Sequence, residues 1–137
     1  MSLGYLLVQV DGANYGLPLE PVLQVDDIGE VLEVPTVLPA MRGLTPLNGR
    51  LVPLIHLGAL LGNRQPPARR GAATVLVGVG GRERLVALEV DDADEVVREA
   101  VLPAPPGESL PWASGVARRE GTLVPILDWD VLQERIK

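Results

Sequence analysis

Apolar residues run along this chain in short bursts, cut apart by glycine, proline and charged residues, a pattern that predicts strands more than helices. Leu6-Leu7-Val8-Gln9-Val10 reads as a strand, Asp11-Gly12-Ala13-Asn14 as a turn, and Tyr15-Gly16-Leu17-Pro18-Leu19 as the return strand of a hairpin. Pro18 and Pro21 have no amide hydrogen for a ladder, so the return strand is expected at an edge or bent. Val22–Val25 leads into a second extended stretch, Ile28–Val34. Pro35 and Pro39 bracket a loop, and Ala40-Met41-Arg42 is expected to form one helical turn stopped by Gly43. Leu51–Ile55 is the next strand, and Leu57–Leu61 a short helix closed by Gly62-Asn63.

The pattern then restarts. Val75–Val79 copies the first strand, Gly80-Gly81 its turn and Leu85–Val90 the return strand. Glu95–Glu99 continues, a second proline-rich loop spans Pro103–Pro111, and strand Thr122–Leu127 precedes a closing helix, Val131–Ile136, that Asp128 or Asp130 can cap. The copying is closest where Gly49-Arg50-Leu51-Val52-Pro53-Leu54-Ile55-His56-Leu57 returns as Gly121-Thr122-Leu123-Val124-Pro125-Ile126-Leu127-Asp128-Trp129, an offset of 121 − 49 = 72 residues. Two copies predict two similar halves packed together, either as two small barrels or as a single barrel of about eight to ten strands. Residues 65–71, with Pro66-Pro67 and Arg69-Arg70, have linker composition. The expected division is a first lobe over about 5–64, a linker over 65–71 and a second lobe over 72–137.

Composition narrows the class. Hydrophobic residues make up 47% and glycine and proline number 15 and 13, which suits an ordered, turn-rich, all-β chain. No phenylalanine is present, so the core is expected to be aliphatic. A net charge of −6 disfavours nucleic acid and anionic membranes. Without cysteine there is neither a disulfide framework nor a thiolate zinc site. The N-terminus has no signal-peptide pattern and no apolar run reaches the roughly 18 residues of a membrane span, so a cytoplasmic protein is expected.

The ordered set of motifs resembles the CheW-like domain, the coupling-protein family of bacterial chemosensory systems. In the first half it consists of Tyr15-Gly16-Leu17-Pro18-Leu19, Val22, Val25, Val34-Pro35, Pro39, Gly43-Leu44 and Gly49 through Ile55. In the second it consists of Val90-Asp91, Glu95-Val96, Gly115-Val116 and Gly121 through Asp128. The resemblance spans nearly the whole chain and implies a single domain of two five-stranded SH3-like barrels. It also implies a non-enzymatic adaptor, without cofactor or metal, that joins chemoreceptor tips to the regulatory domain of a histidine kinase. By the same resemblance the partner-binding residues are expected among Val34, Leu38, Met41, Leu44, Leu47, Asn48 and Arg50. The sequence departs from the family pattern at Pro46, where an asparagine is usual, at Asn48, where an arginine is usual, and at His56, where an aspartate is usual. Arg50 lies two positions after Asn48, on the same face if both are on a strand, and is expected to replace part of that guanidinium.

Other chemistry is sparse. His56 and Asp128 fill equivalent positions (56 + 72 = 128) and read either as caps of the following helices or as an acid/base pair in a small hydrolase or ligand-binding barrel. Gly78–Gly81 reads as a hairpin turn rather than a phosphate loop, since a strand and not a helix follows. Glu89, Asp91, Asp92, Asp94 and Glu95 read as a solvated acidic edge without the spacing of a calcium loop. Arg69-Arg70 and Arg118-Arg119 read as loop pairs available to acidic partners, and a homodimeric structural module is a further alternative.

Overall fold

Turn chemistry sets the strand pairing. Asp11-Gly12, Asn48-Gly49 and Glu120-Gly121 all take left-handed φ values, 51° and 82°, 51° and 78°, 50° and 78°. Two-residue hairpin turns of this kind match the right-handed twist of the strands they join. They connect β1 (Tyr5–Val10) to β2 (Ala13–Pro18), β4 (Met41–Leu47) to β5 (Arg50–His56), and β10 (Ala113–Arg119) to β11 (Thr122–Leu127). Gly80-Gly81 opens the turn from β6 (Ala73–Val79) to β7 (Arg84–Val90). The other elements are β3 (Val22–Asp27), α1 (Leu57–Gly62), β8 (Asp92–Val97), β9 (Leu102–Pro103) and α2 (Trp129–Ile136). This computed structural model describes residues 4–36, 38–62, 65–99, 101–103 and 111–136.

The strands form two sheets, ordered β8-β1-β2-β11-β10-β9 and β3-β6-β7-β5-β4. The expected contiguous lobes, 5–64 and 72–137, are therefore corrected. The first sheet takes β1 and β2 from the N-terminal half and β8 to β11 from the C-terminal half. The second takes β3, β4 and β5 with β6 and β7. The junctions are parallel pairings, β5 with β7 through Leu54↔Ala87, Ile55↔Leu88 and His56↔Glu89, and β11 with β2 at Ile126↔Gly16. Both halves carry near-identical strands, and each half supplies a hairpin to the other's sheet. Two sheets also rule out the single-barrel alternative.

Each sheet curls towards closure in the same way. After β3 the chain returns to bridge Leu32 to Leu44 on β4, and after β8 it returns as β9 to pair Leu102 with Val116 on β10. Gly43 and Gly115 permit those approaches, because a Cβ at either would lie 2.3 Å from the carbonyl oxygen of Leu32 or Leu102. The architecture is two SH3-like lobes.

Three apolar clusters follow from the alternation of side chains. Tyr5, Leu7, Val97, Ala117, Val124 and Ile126 fill the first lobe, and Val52, Leu54, Leu76 and Ala87 fill the second. The opposite faces of β1, β6 and β7, with α1 and α2, build the much larger seam between lobes, including Leu6, Val8, Val10, Val75, Val77, Val86, Leu88, Leu57, Leu60 and Leu132.

Three local expectations are corrected. Met41 and Arg42 begin β4 instead of a helical turn, because pairing with β5 and the bonds of Arg42 outweigh the local preference. β2 is an inner strand of its sheet, and Pro18 is tolerated as its last residue. Glu89 is not on a solvated edge: it is fully buried, and its carboxylate takes Nε of Arg42 at 2.8 Å and the Gly71 amide. Arg42 also donates to the carbonyls of Pro67 and Arg69, at 2.6 and 3.1 Å, fastening the linker to the second sheet.

Removing one member of a buried ion pair strands the other. Arg42→Met is expected to cost about 3 kcal/mol of stability in urea unfolding, and Arg42→Met with Glu89→Met to recover most of that. Equal losses in the single and double variants would show that the pair acts through packing alone.

Candidate partner-binding surface

The expected binding residues do not form one patch. Leu47 turns inward and packs on the interior cluster of the second lobe. Leu38 and Met41 pack against the seam. Val34 is half-buried in the segment leading to β4. Only Leu44 lies on the outer face of β4, cross-strand from Pro53 and bridged to Leu32. Arg50 is exposed at the start of β5. Asn48 is also exposed but sits in the turn at φ 51°, so the same-face argument linking it to Arg50 does not hold. Its amide donates to Gln24 Oε1 of β3 at 2.8 Å, tying the turn to the far edge of the sheet.

Residues outside the expected binding set complete the outer face. Pro46 pairs with Leu51, in the row next to Leu44 and Pro53, and Leu51 is 56% exposed. Leu123, its equivalent 72 residues on, is 58% exposed on β11 opposite Arg118. The other exposed large apolar residues pair off too. Leu32 and Leu102 bridge equivalent positions on β4 and β10, while Val25 and Val96 pair with the equivalent Val75 and Leu6. Among the described residues, all six exposed large hydrophobics thus fall into three repeat-related pairs, one member on each lobe. The signal was present in the sequence as the repeat itself, but it needed the burial of each face to be read.

His56 and Asp128 behave as caps. His56 N–H donates to the Ala40 carbonyl at 2.8 Å, and Asp128 N–H to the Trp112 carbonyl at 2.7 Å, equivalent bonds at the same offset. His56 Nδ1 accepts from the Ala59 amide at 2.9 Å, and Asp128 Oδ1 from the Val131 amide at 3.3 Å. Neither makes a hydrogen bond to the other, as the acid/base reading requires. Burial pushes the His56 imidazole below its usual value, against the upward pull of Glu89, Asp11 and Asp91, with Arg42 adding to the depression.

Beyond the buried pair, two arginines among the described residues make further ion pairs. Arg70 meets Glu33 at 2.8 Å, and Arg119 pairs with Glu95 and reaches Glu99 at 3.9 Å. No group of three or more potential metal ligands occurs among the described residues. Gly78 to Gly81 end β6 and turn into β7, a hairpin as expected.

A family model described as "CheW-like domain" matches residues 4–137. No curated protein sequence matches. Among solved structures, the fold is similar to the scaffolding protein TtCheW from Thermoanaerobacter tengcongensis, with a TM-score of 0.78 at 20% identity, over 96% of this chain and 88% of that one.

Two substitutions test the local readings. Asp128→Ala is expected to cost about 1 kcal/mol through loss of the α2 cap, read from the urea midpoint. Asn48→Arg is expected to cost about 1 kcal/mol, because a longer side chain is less suited to the left-handed turn and loses the Gln24 bond.

Proposed function

The chain belongs to the CheW-like domain family, and on that premise we propose that it is a non-enzymatic adaptor joining chemoreceptors to a histidine kinase in a chemosensory pathway. The observation that carries this reading is the pairing of exposed apolar residues: each lobe offers the same three, Val25, Leu32 and Leu51 or Val96, Leu102 and Leu123. Exposed apolar residues repeated at equivalent places on two lobes suit a protein that holds two partners at once. Two weak contacts on one rigid body raise the effective concentration of each partner for the other, and no catalytic group is needed.

The regulatory domain of the kinase is the partner proposed for one lobe, and the cytoplasmic tip of a chemoreceptor, or a second kinase, for the other. Of the residues expected from the family pattern, Leu44 and Arg50 remain the best placed for direct contact. Val34 and Asn48 are proposed at the rim, while Leu47 packs on the interior cluster beneath β4 and Leu38 and Met41 pack on the seam. No helix among the described residues is long and apolar enough to cross a membrane. A cytoplasmic location follows from where kinase regulatory domains and receptor tips lie.

Calorimetry against the CheW-like regulatory domain of a chemosensory kinase is expected to give micromolar or tighter binding. Leu51→Asp and Leu123→Asp should each leave the unfolding midpoint nearly unchanged, since both side chains face solvent. One of them should weaken kinase binding at least about tenfold and the other should spare it. Binding that survives both changes, or no binding by the native protein, would remove the two-lobed docking reading.

A further inference from the structure

The two helix caps are equivalent in backbone and different in acid–base chemistry. The His56 imidazole is 3% exposed and holds the Ala59 amide through Nδ1. That bond requires an unprotonated Nδ1, because an imidazolium has two donors and no acceptor. Asp128 holds the Val131 amide through a carboxylate oxygen instead, with no ring nitrogen in the cap. We propose that His56 makes the cap of α1 acid-labile, so that mild acidification frees α1 from the seam between the lobes while α2, capped by Asp128, stays in place.

The surroundings of the ring determine what protonation does. Charged groups face it from four directions. Asp11 comes from the β1–β2 turn, Glu89 from β7 as the cross-strand partner of His56, Asp91 from the residue after β7, and Arg42 from β4. Glu89 is already engaged by Arg42 and the Gly71 amide, and Asp91 by the Asp11 amide at 2.8 Å. The Asp11 carboxylate makes no hydrogen bond among the described residues, and it lies beside the ring. The point where a Cβ of Gly58 would stand is 2.6 Å from Asp11 Oδ2 and 2.9 Å from His56 Cε1. A small open cavity lined by Asp11, His56, Gly58, Ala59, Gln65 and Pro67 adjoins the ring. A charged imidazole therefore has both a carboxylate to turn towards and room to do so, and the turn abandons Ala59.

What α1 holds makes the loss consequential. Leu57, Ala59, Leu60 and Leu61 belong to the seam, and the carbonyls of Leu60 and Leu61 accept from Arg135 of α2 at 2.9 and 3.2 Å. The sign is set by burial, which holds the ring below its ordinary value of about 6.5. The unfolded chain then binds the proton more readily than the folded one. The stabilisation is complete above about pH 6.5 and is lost as pH falls through the lower, folded value.

The experiment is an NMR titration of the intact protein from pH 7.5 to 5.0, following the His56 ring and hydrogen-exchange protection at Ala59 and Val131. Protection at Ala59 should fall about fivefold or more with the midpoint of the ring titration, while Val131 keeps its protection. In His56→Asn, whose neutral side chain caps without titrating, Ala59 should stay level across the range. Three outcomes overturn the proposal: a ring that titrates while Ala59 stays protected, a fall at Ala59 that persists in His56→Asn, or a parallel fall at Val131. The coincidence of the two midpoints in the native protein decides the matter even if His56→Asn does not fold.

Discussion

Each sheet is finished by strands from the other half of the chain, and the rest of the structure depends on that exchange. The parallel contacts of β5 with β7 and of β11 with β2 are the places where the halves meet. Once they form, the outer faces of β1, β6 and β7 look towards one another. The seam then gathers twenty buried apolar residues, against six and four inside the lobes. Burial scales with apolar area, so most of the driving force lies between the lobes and little within either. A lobe taken alone is too small to bury its sheet. The exchange turns two marginal barrels into one cooperative unit.

A polar contact specifies where the seam meets the linker. Glu89 enters register opposite His56 on the parallel junction, deep enough that its charge needs compensation. Arg42 provides it from β4 and spends its other donors on the carbonyls of Pro67 and Arg69. Replacing such a pair by apolar groups is often neutral or stabilising, so stability is not its main contribution. Its effect is geometric: it fixes where β4 and the linker sit beside the junction of the two halves.

Much of this was legible from the repeat. The offset of 72 residues set β5 and α1 against β11 and α2, and it placed His56 and Asp128 at equivalent positions, with capping as one of two readings. It could not say which half completes which sheet. Near-identical strands satisfy the same alternation whether they pair within a half or across halves, and the difference lies only in long-range register. Glu89 looked like one more member of an acidic run because burial is a property of the assembled seam. Nor did alternation separate Leu51 and Leu123 from Val52 and Val124, since only the assembled lobe shows which of the two faces is covered. Ala40-Met41-Arg42 was misread as helical because nothing local announces the pairing of Met41 with Ile55.

Duplication supplies two equivalent surfaces, but a bridge between unlike partners needs them to differ. The backbone is kept: the turns at Asn48-Gly49 and Glu120-Gly121 have nearly the same φ values, and both exposed leucines stand at the same register. The differences are confined to side chains around those leucines. Leu51 faces Pro46, which brings no charge and no amide hydrogen, and its strand begins with Arg50 beside Asn48. Leu123 faces Arg118, in a hairpin whose turn carries Glu120. An apolar centre supplies affinity to any complementary surface, whereas charges around it decide which surfaces are accepted. The two lobes thus share an exposed apolar centre and differ in the polar and charged side chains around it. The side chains that differ are Pro46, Asn48 and Arg50 on one lobe and Arg118 and Glu120 on the other.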